Sequence, residues 1–368
     1  MLGCWLVIVF LFGVSIGSFV NVACFRLPYE KSIAWPDSRC MSCLNALRFA
    51  DNLPIIGYLR RRGRCRFCGA QFSSRYMWIE LAVGLAFVGL YLLEITSQST
   101  GGPDLFRAWH NTPGLRHPFF GLPPVEGWCY VAGHAALLTL LLTAALIDAG
   151  YRIIPTQITY PGTILGLILC VAFPWPWPSD ATASPSISGV PSWAWTAYAY
   201  KIPTGLALWP GIQPTAWAPA GSWQLGLLTG VLGALAGMFV VRALKWAFEF
   251  GFGQEAVGLG DADLMMMAGA FLGWQVVVLA LPLGALVSLV AIPALFLRAK
   301  LRREPFDAAM PFGPGLAAGV VVAWFGWPYL GEYGRPFFFD PLILAFVALG
   351  GYGCLLVSGL ALRRRSSG

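Results

Sequence analysis

The chain has 368 residues, of which 57% are hydrophobic and 11% are charged. Because ordinary soluble domains carry about 25% charged residues, this composition excludes a soluble globular protein and indicates an integral membrane protein. The formal net charge of +7 does not indicate nucleic-acid binding, because the lysines and arginines cluster in short loops beside apolar runs. Positive-inside sorting explains that placement without a nucleic-acid partner.

Nine apolar runs predict transmembrane helices, several of them near the roughly 20 residues that a helix needs to cross a bilayer. They lie near residues 2–25, 77–95, 130–148, 158–174, 223–245, 262–275, 276–297, 314–331 and 340–362. A turn at Gly273 divides the stretch 262–297 into two helices. No basic residue precedes the first run and no small-residue cleavage site follows it, so we expect an anchor and not a cleaved signal peptide.

The basic loops set the predicted topology. Nine crossings that start outside place every basic cluster in the cytoplasm, in loops 26–76, 149–157, 246–261 and 298–313 and in the tail after 362. We therefore predict an all-α polytopic membrane protein made of a first helix, a small cytoplasmic domain, a membrane domain and an additional C-terminal helix. Their bounds are 1–25, 26–76, 77–331 (with outer insertions 96–129 and 174–222) and 340–362.

Four cysteines in the first loop form the pattern C-x2-C-x21-C-x2-C at Cys40, Cys43, Cys65 and Cys68. Two such knuckles each place two thiolates on a tight turn, and together they can close a tetrahedral site around zinc. Two disulfides are the alternative, but they require an oxidising compartment, and the charge pattern places this loop in the reducing cytoplasm. We therefore expect structural zinc bound by these four residues.

Asp148 is the first of two acidic residues at the rim of predicted spans, where a charge is costly. It ends the third span on the predicted cytoplasmic side. A carboxylate at a helix C-terminus opposes the helix dipole, so capping does not explain it. Pairing with Arg152 is the alternative to a functional role.

Asp261 opens the sixth span within the sequence GLGDAD at residues 258–263. Taken alone, it is equally well explained as a helix N-cap, a position that favours aspartate. The two acids are more informative together, because Asp148 ends an inward-running helix and Asp261 begins an outward-running one. Two close carboxylates do not ionise together easily, so one remains a proton donor while the other activates water. The pair predicts aspartic protease chemistry.

Several motifs occur in order along the chain and together resemble the type IV prepilin peptidases, the bifunctional leader peptidases and N-methyltransferases of pilus and type II secretion systems. They are GSFVNV at 17–22, FRLP at 25–28, SRC at 38–40, DNLP at 51–54, GRCRFC at 63–68, RY at 75–76 followed by Glu80, IP at 154–155, GLGD at 258–261 and MPFGP at 310–314. Asp148 and Asp261 are similar to the family's two catalytic aspartates. From the residues alone, MPFGP indicates only a proline-bounded helix start.

The resemblance implies an enzyme of the bacterial inner membrane with its active site at the cytoplasmic side. Its substrates would be prepilins or pseudopilins, cut after a glycine between a basic leader and an apolar helix that lies in the bilayer. The family then methylates the new N-terminus with S-adenosylmethionine, although no methyl-donor pocket can be derived from these residues. Thr156 and Asp263 depart from the Asp and Lys that the family commonly has there.

Two other functions compete with proteolysis. An ion-coupled transporter could use the paired aspartates as a proton relay, with the glycine-rich start of the sixth span as a broken helix. Against it, the chain shows no inverted repeat, and both acids sit at one rim and not near the midplane. A non-catalytic assembly scaffold with a zinc knuckle is the third interpretation.

Overall fold

The computed structural model of the chain describes residues 2–92, 125–172, 217–218, 222–253, 258–302, 311–339 and 341–366. Most of the two predicted outer insertions, 96–129 and 174–222, lies outside these residues. So do parts of the predicted loops 246–261 and 298–313, including Met310 of the MPFGP motif.

Ten α-helices lie within the described residues, and nine of them coincide with the nine predicted spans. They are α1 Leu2–Arg26, α2 Ile56–Arg61, α3 Arg75–Tyr91, α4 Val125–Tyr151, α5 Thr156–Ala172, α6 Trp223–Phe252, α7 Leu259–Leu272, α8 Trp274–Arg302, α9 Gly313–Phe339 and α10 Pro341–Ser366. Apolar runs did not predict the short helix α2. Gly273, with a φ of 81°, separates α7 from α8 at the predicted turn.

The all-helical class is confirmed, whereas nine crossings remain a prediction. Within the described residues, five helices are long and apolar enough to cross a membrane: Gly3–Tyr29, Val131–Tyr151, Trp223–Phe252, Trp274–Leu301 and Leu342–Ala361. Thr156–Ala172 and Gly313–Gly326 are shorter apolar helices. Helix α7 has 14 residues, which corresponds to about 21 Å of helix against a hydrocarbon core of about 30 Å. The predicted domain bounds likewise remain predictions.

Helix α7 lies at the centre of the helix bundle. It packs against α4, α5, α6, α8 and α9, and all its residues from Asp261 to Leu272 except Met266 are buried. Helix α6 approaches it at backbone distance, since a Cβ atom on Gly237 would overlap the carbonyl group of Met265. Small residues permit such close helix contacts in membranes. This packing fixes α7, which carries Asp261 in its first turn.

Two matching knuckles organise the domain between α1 and α3. In each knuckle the backbone N–H of the first cysteine donates a hydrogen bond to the carbonyl oxygen of the residue five positions later. The distances are 3.0 Å from Cys40 to Asn45 and 2.8 Å from Cys65 to Ala70. An isolated antiparallel bridge closes each turn, at Arg39 with Ala46 and at Arg64 with Gln71. The repeated geometry brings the two cysteine pairs to face each other.

Candidate active site and metal centre

Asp148 lies in the last turn of α4 and is 7% exposed. Its Oδ2 atom accepts a hydrogen bond from the backbone N–H of Gly313, the first residue of α9, at 3.0 Å. The positive end of the α9 dipole therefore faces the Asp148 carboxylate. The negative C-terminal end of α4, the helix that carries Asp148, disfavours the same charge. Arg152 is near enough for its charge to act on Asp148, so the pairing alternative stays open beside the functional one.

Asp261 lies in the first turn of α7 and is also 7% exposed. Its Oδ2 atom accepts the backbone N–H of Gly258, the residue just before the helix, at 3.1 Å. This contact resembles the acidic half of a capping box, in which a side chain in the first turn bonds back to the N-cap. The carboxylate thus satisfies a backbone donor, and it also sits at a buried helix end beside α4.

Ile154 holds the two carboxylate-bearing segments together. Both Gly260 and Gly313 lie against the Ile154 side chain. If these glycines carried a Cβ atom, it would lie 2.9 Å from the Ile154 Cβ at position 260 and 3.1 Å from the Ile154 Cδ1 at position 313. The charges of Asp148 and Asp261 are near enough to interact. Two buried acids in this position favour a state in which one carboxyl is protonated and the other ionised, which supplies both an acid and a base.

Asp263 has a different partner from Asp261. It is buried within α7, and its Oδ1 atom lies 4.0 Å from a guanidinium nitrogen of Arg242 on α6. Positions two apart on a helix point in well-separated directions, which explains why the neighbouring acids have different partners. The ion pair gives Asp263 a structural role that does not involve the other two aspartates.

The four predicted metal ligands come together. The sulfur atoms of Cys40, Cys43, Cys65 and Cys68 all lie within 4.8 Å of one another. Cys40 and Cys68 are 3.7 Å apart, and Cys43 and Cys65 are 3.9 Å apart. Tetrahedral zinc with Zn–S bonds of about 2.3 Å needs sulfurs about 3.8 Å apart, whereas a disulfide needs about 2.05 Å. The geometry fits a four-thiolate metal ion.

The local backbone also prepares this centre for a metal. The N–H groups of Cys43 and Ser42 point at the Cys40 sulfur and lower the pKa of that thiol to about 6. Thiolates are the form that binds zinc, so these backbone groups favour a ligand that is ionised near neutral pH. Sequence spacing alone predicted the cysteines but not this contribution of the backbone.

Two residues of these sites have roles that the sequence alone did not predict. Gly313 was predicted only as part of a helix start, yet a Cβ atom there would lie 2.6 Å from the Asp148 carboxylate. Glu80 was noted only by resemblance, and its buried carboxylate accepts the N–H of Ile55 at 2.7 Å, tying α3 to the cysteine domain. The glycine in MPFGP was a usable signal, because glycine is required wherever a backbone approaches another group closely.

Comparison with known proteins gives several relatives that share one name. Residues 11–93 match the family Bacterial Peptidase A24 N-terminal domain. A prepilin leader peptidase/N-methyltransferase of Burkholderia pseudomallei (strain K96243) is 29% identical over 344 residues, covering 86% of this chain and 84% of that protein. Proteins of the same name from Pseudomonas putida and Dickeya chrysanthemi are each 28% identical, covering 85% and 86% of this chain and 88% and 91% of theirs. The chain is a relative of the prepilin leader peptidase/N-methyltransferases.

This relationship covers more than the cysteine domain. Because the alignment with the first relative includes 86% of the chain, it necessarily spans residues 148 and 261, which lie far from both termini. The prepilin peptidase relatives are bacterial enzymes, and the apolar helices of this chain fit a membrane protein of that class. No solved structure matches the chain.

Proposed function

We propose that this protein is a membrane aspartic endopeptidase that removes the leaders of prepilins or pseudopilins. One observation carries the proposal: Asp148 and Asp261 are both buried at helix ends beside Ile154, near enough for their charges to interact. The names of the relatives support prepilins as the substrate class. The transporter alternative has no comparable support, because none of these relatives is named as one.

In the proposed mechanism one aspartate is the base and the other is the acid. The ionised carboxylate removes a proton from a water molecule, which attacks the carbonyl carbon of the scissile peptide bond. The protonated carboxyl then donates its proton to the departing amine. The N–H groups of Gly313 and Gly258 hold the two carboxyl groups in place, so that little reorganisation is needed during the reaction.

The position of the acids favours cleavage at the membrane surface. Both lie at helix termini, and the predicted topology places those termini at the cytoplasmic rim of the inner membrane. A prepilin would keep its basic leader in the cytoplasm and its apolar helix in the bilayer, with the cut after a glycine between them. The lipid bilayer is thus part of how the substrate is presented.

We further propose that the four-cysteine centre holds structural zinc and that the chain methylates the new N-terminus with S-adenosylmethionine. The sulfur geometry supports zinc, and the word N-methyltransferase in the names of the relatives supports the second activity. Zinc would tie the two knuckles together across the 21 intervening residues of the pattern. It would stabilise the domain without taking part in proteolysis.

A cleavage assay tests the peptidase proposal. The purified chain is reconstituted in liposomes with a synthetic prepilin that carries a basic leader, and the products are identified by mass spectrometry. We expect one cut directly after the leader's glycine, and no cut when that glycine is replaced by a bulky residue. A substrate that stays intact, under conditions in which a prepilin peptidase from a relative cleaves it, contradicts the proposal.

A further inference from the structure

Helix α10, the predicted additional C-terminal helix, approaches the bundle most closely near its C-terminal end. It packs mainly against α6, and among its residues whose surroundings the structure describes, Gly359 alone is buried. An added Cβ atom at Gly359 would lie 2.8 Å from the carbonyl carbon of Gly251 on α6. One at Gly350, Gly351 or Gly353, also in α10, would meet nothing within 4 Å. Two glycines thus let the backbones of α10 and α6 meet near the C-terminal ends of both helices.

Arg363 adds a polar contact at the same end of α10. Its Nη1 atom donates a hydrogen bond to the carbonyl oxygen of Phe250, in the last turn of α6, at 3.5 Å. The last carbonyl groups of a helix have no donor within the helix, and a nearby cation stabilises them. Gly253 ends α6 with a φ of 70°, and a Cβ atom added there would lie 3.5 Å from the central carbon of the Arg363 guanidinium. Arg363 therefore holds the C-terminal end of α6.

The end of α6 that α10 contacts runs beyond the start of α7. The two helices are antiparallel, since Gly233 packs against Gly269 and Gly237 packs against Met265. In this alignment roughly the last nine residues of α6, about 13 Å of helix, extend past Leu259, where α7 begins. Packing against α7 does not hold this extension. Its position depends on other contacts, and α10 supplies those at residues 250–253.

The same extension leads directly to the second proposed catalytic acid. Residues 254–257 are all that separates Gly253, at the end of α6, from Gly258, so this connection spans at most about 18 Å. The backbone N–H of Gly258 donates the hydrogen bond that the Asp261 carboxylate accepts at 3.1 Å. A displacement of the end of α6 would therefore reach the donor to Asp261 within a few residues.

We infer that α10 positions Asp261 for catalysis by holding the end of α6 through Gly359 and Arg363. The inference rests on the proposed peptidase activity, and these two positioning residues act on cleavage only through the placement of Asp261. A misplacement of a catalytic group by about 1 Å can cost about 100-fold in rate. A helix that served as a membrane anchor alone would need no contact at a particular position, so it would tolerate any apolar residue at 359.

Gly359→Leu, with Gly351→Leu as its control, tests the contact between the helices. Both variants make the same change in α10, but the added side chain overlaps the α6 backbone at position 359 and meets no atom within 4 Å of its Cβ at position 351. Hydrogen–deuterium exchange of the full chain in detergent measures the amides of residues 250–262. We expect their exchange to be about tenfold faster or more in Gly359→Leu. Gly351→Leu should match the wild-type chain.

Two substitutions of Arg363 test the effect on cleavage in liposomes. Arg363→Gln should speed exchange of residues 250–262 as well, and it should lower kcat about tenfold with KM unchanged, because a displaced acid slows the chemical step and not substrate binding. Arg363→Lys should restore most of the lost kcat, since lysine can also donate to the last carbonyl groups of a helix. Exchange in α3 should stay at the wild-type rate in every variant. Faster exchange there in Gly359→Leu would mean that this variant disturbs the whole bundle, and the exposed Arg363 then decides the case.

Three results would overturn the inference and leave α10 as an anchor. They are a wild-type kcat in Arg363→Gln, a loss of kcat that Arg363→Lys does not restore, and wild-type exchange of residues 250–262 in both Gly359→Leu and Arg363→Gln. A wild-type chain that does not cleave the prepilin contradicts the proposed peptidase instead. The exchange measurements alone then decide whether α10 holds the end of α6 and the segment that carries Asp261.

Discussion

The backbone N–H of Gly313 donates a hydrogen bond to the Asp148 carboxylate although 165 positions separate the two residues in the chain. The contact joins the last turn of α4 to the first residue of α9. It gives Asp148 a donor at the positive end of a helix, and it leaves no room for a side chain at position 313. The proposed peptidase site therefore depends on three helices, α4, α7 and α9.

Gly313→Ala should reduce leader cleavage about 10- to 150-fold. The added Cβ atom would lie 2.6 Å from Asp148 Oδ2, which displaces a hydrogen bond to a charged group worth about 1.5–3 kcal/mol. The control is Gly150→Ala, near the end of the same α4 helix, where an added Cβ meets no atom within 4 Å. Initial cleavage rates at equal enzyme levels provide the measurement. Equal rates for the two variants would show that position 313 tolerates a side chain.

Asp263→Asn should lower cleavage by no more than about fivefold. Its ion pair with Arg242 spans 4.0 Å, and the Arg242 side chain is 48% exposed, so we expect a contribution of about 0–1 kcal/mol to stability. Arg242→Gln should have a similarly small effect, because it removes the other partner of the same pair. Cleavage rates in membranes measure both changes. A loss of activity in Asp263→Asn as large as that of Asp261→Asn would mean that the second acid was assigned to the wrong residue.

The packing of α6 on α7 should not tolerate a larger residue at position 237. A side chain there would overlap the Met265 carbonyl group, and overpacking of this kind costs about 1–3 kcal/mol. Gly237→Val should therefore lower the thermal unfolding midpoint in detergent and reduce cleavage, because α7 carries Asp261. Gly350→Val in α10, where an added Cβ meets nothing within 4 Å, is the control. Matching midpoints for the two variants would argue against the close contact.

Purified protein should carry about one zinc ion per chain, bound by four thiolates. Changing Cys40 and Cys43 to Ser should remove it, whereas changing the exposed Cys4 and Cys354 to Ser should not. Because protons compete with metal for thiolates, zinc affinity should fall as the pH is lowered. Elemental analysis of protein dialysed at several pH values measures this. Intact disulfides among the four cysteines in freshly prepared protein would contradict the metal site.

The helices could be predicted from sequence because apolar runs in a membrane protein must be helical to satisfy their backbone groups. The cysteine cluster could be predicted because its ligands lie in two short, regular knuckles. The contacts of Asp148 with Gly313 and of Asp263 with Arg242 could not be predicted. Each contact joins two different helices, and a single sequence does not show which helices pack together.

The most direct test of the account compares three single substitutions in the same liposome cleavage assay. Asp148→Asn and Asp261→Asn should each abolish leader cleavage while zinc content and membrane insertion stay unchanged, because one remaining carboxyl cannot serve as both acid and base. Asp263→Asn makes the same chemical change in the same buried helix and should remain active. Near-normal cleavage by either Asp148→Asn or Asp261→Asn would contradict the proposed pair of catalytic aspartates.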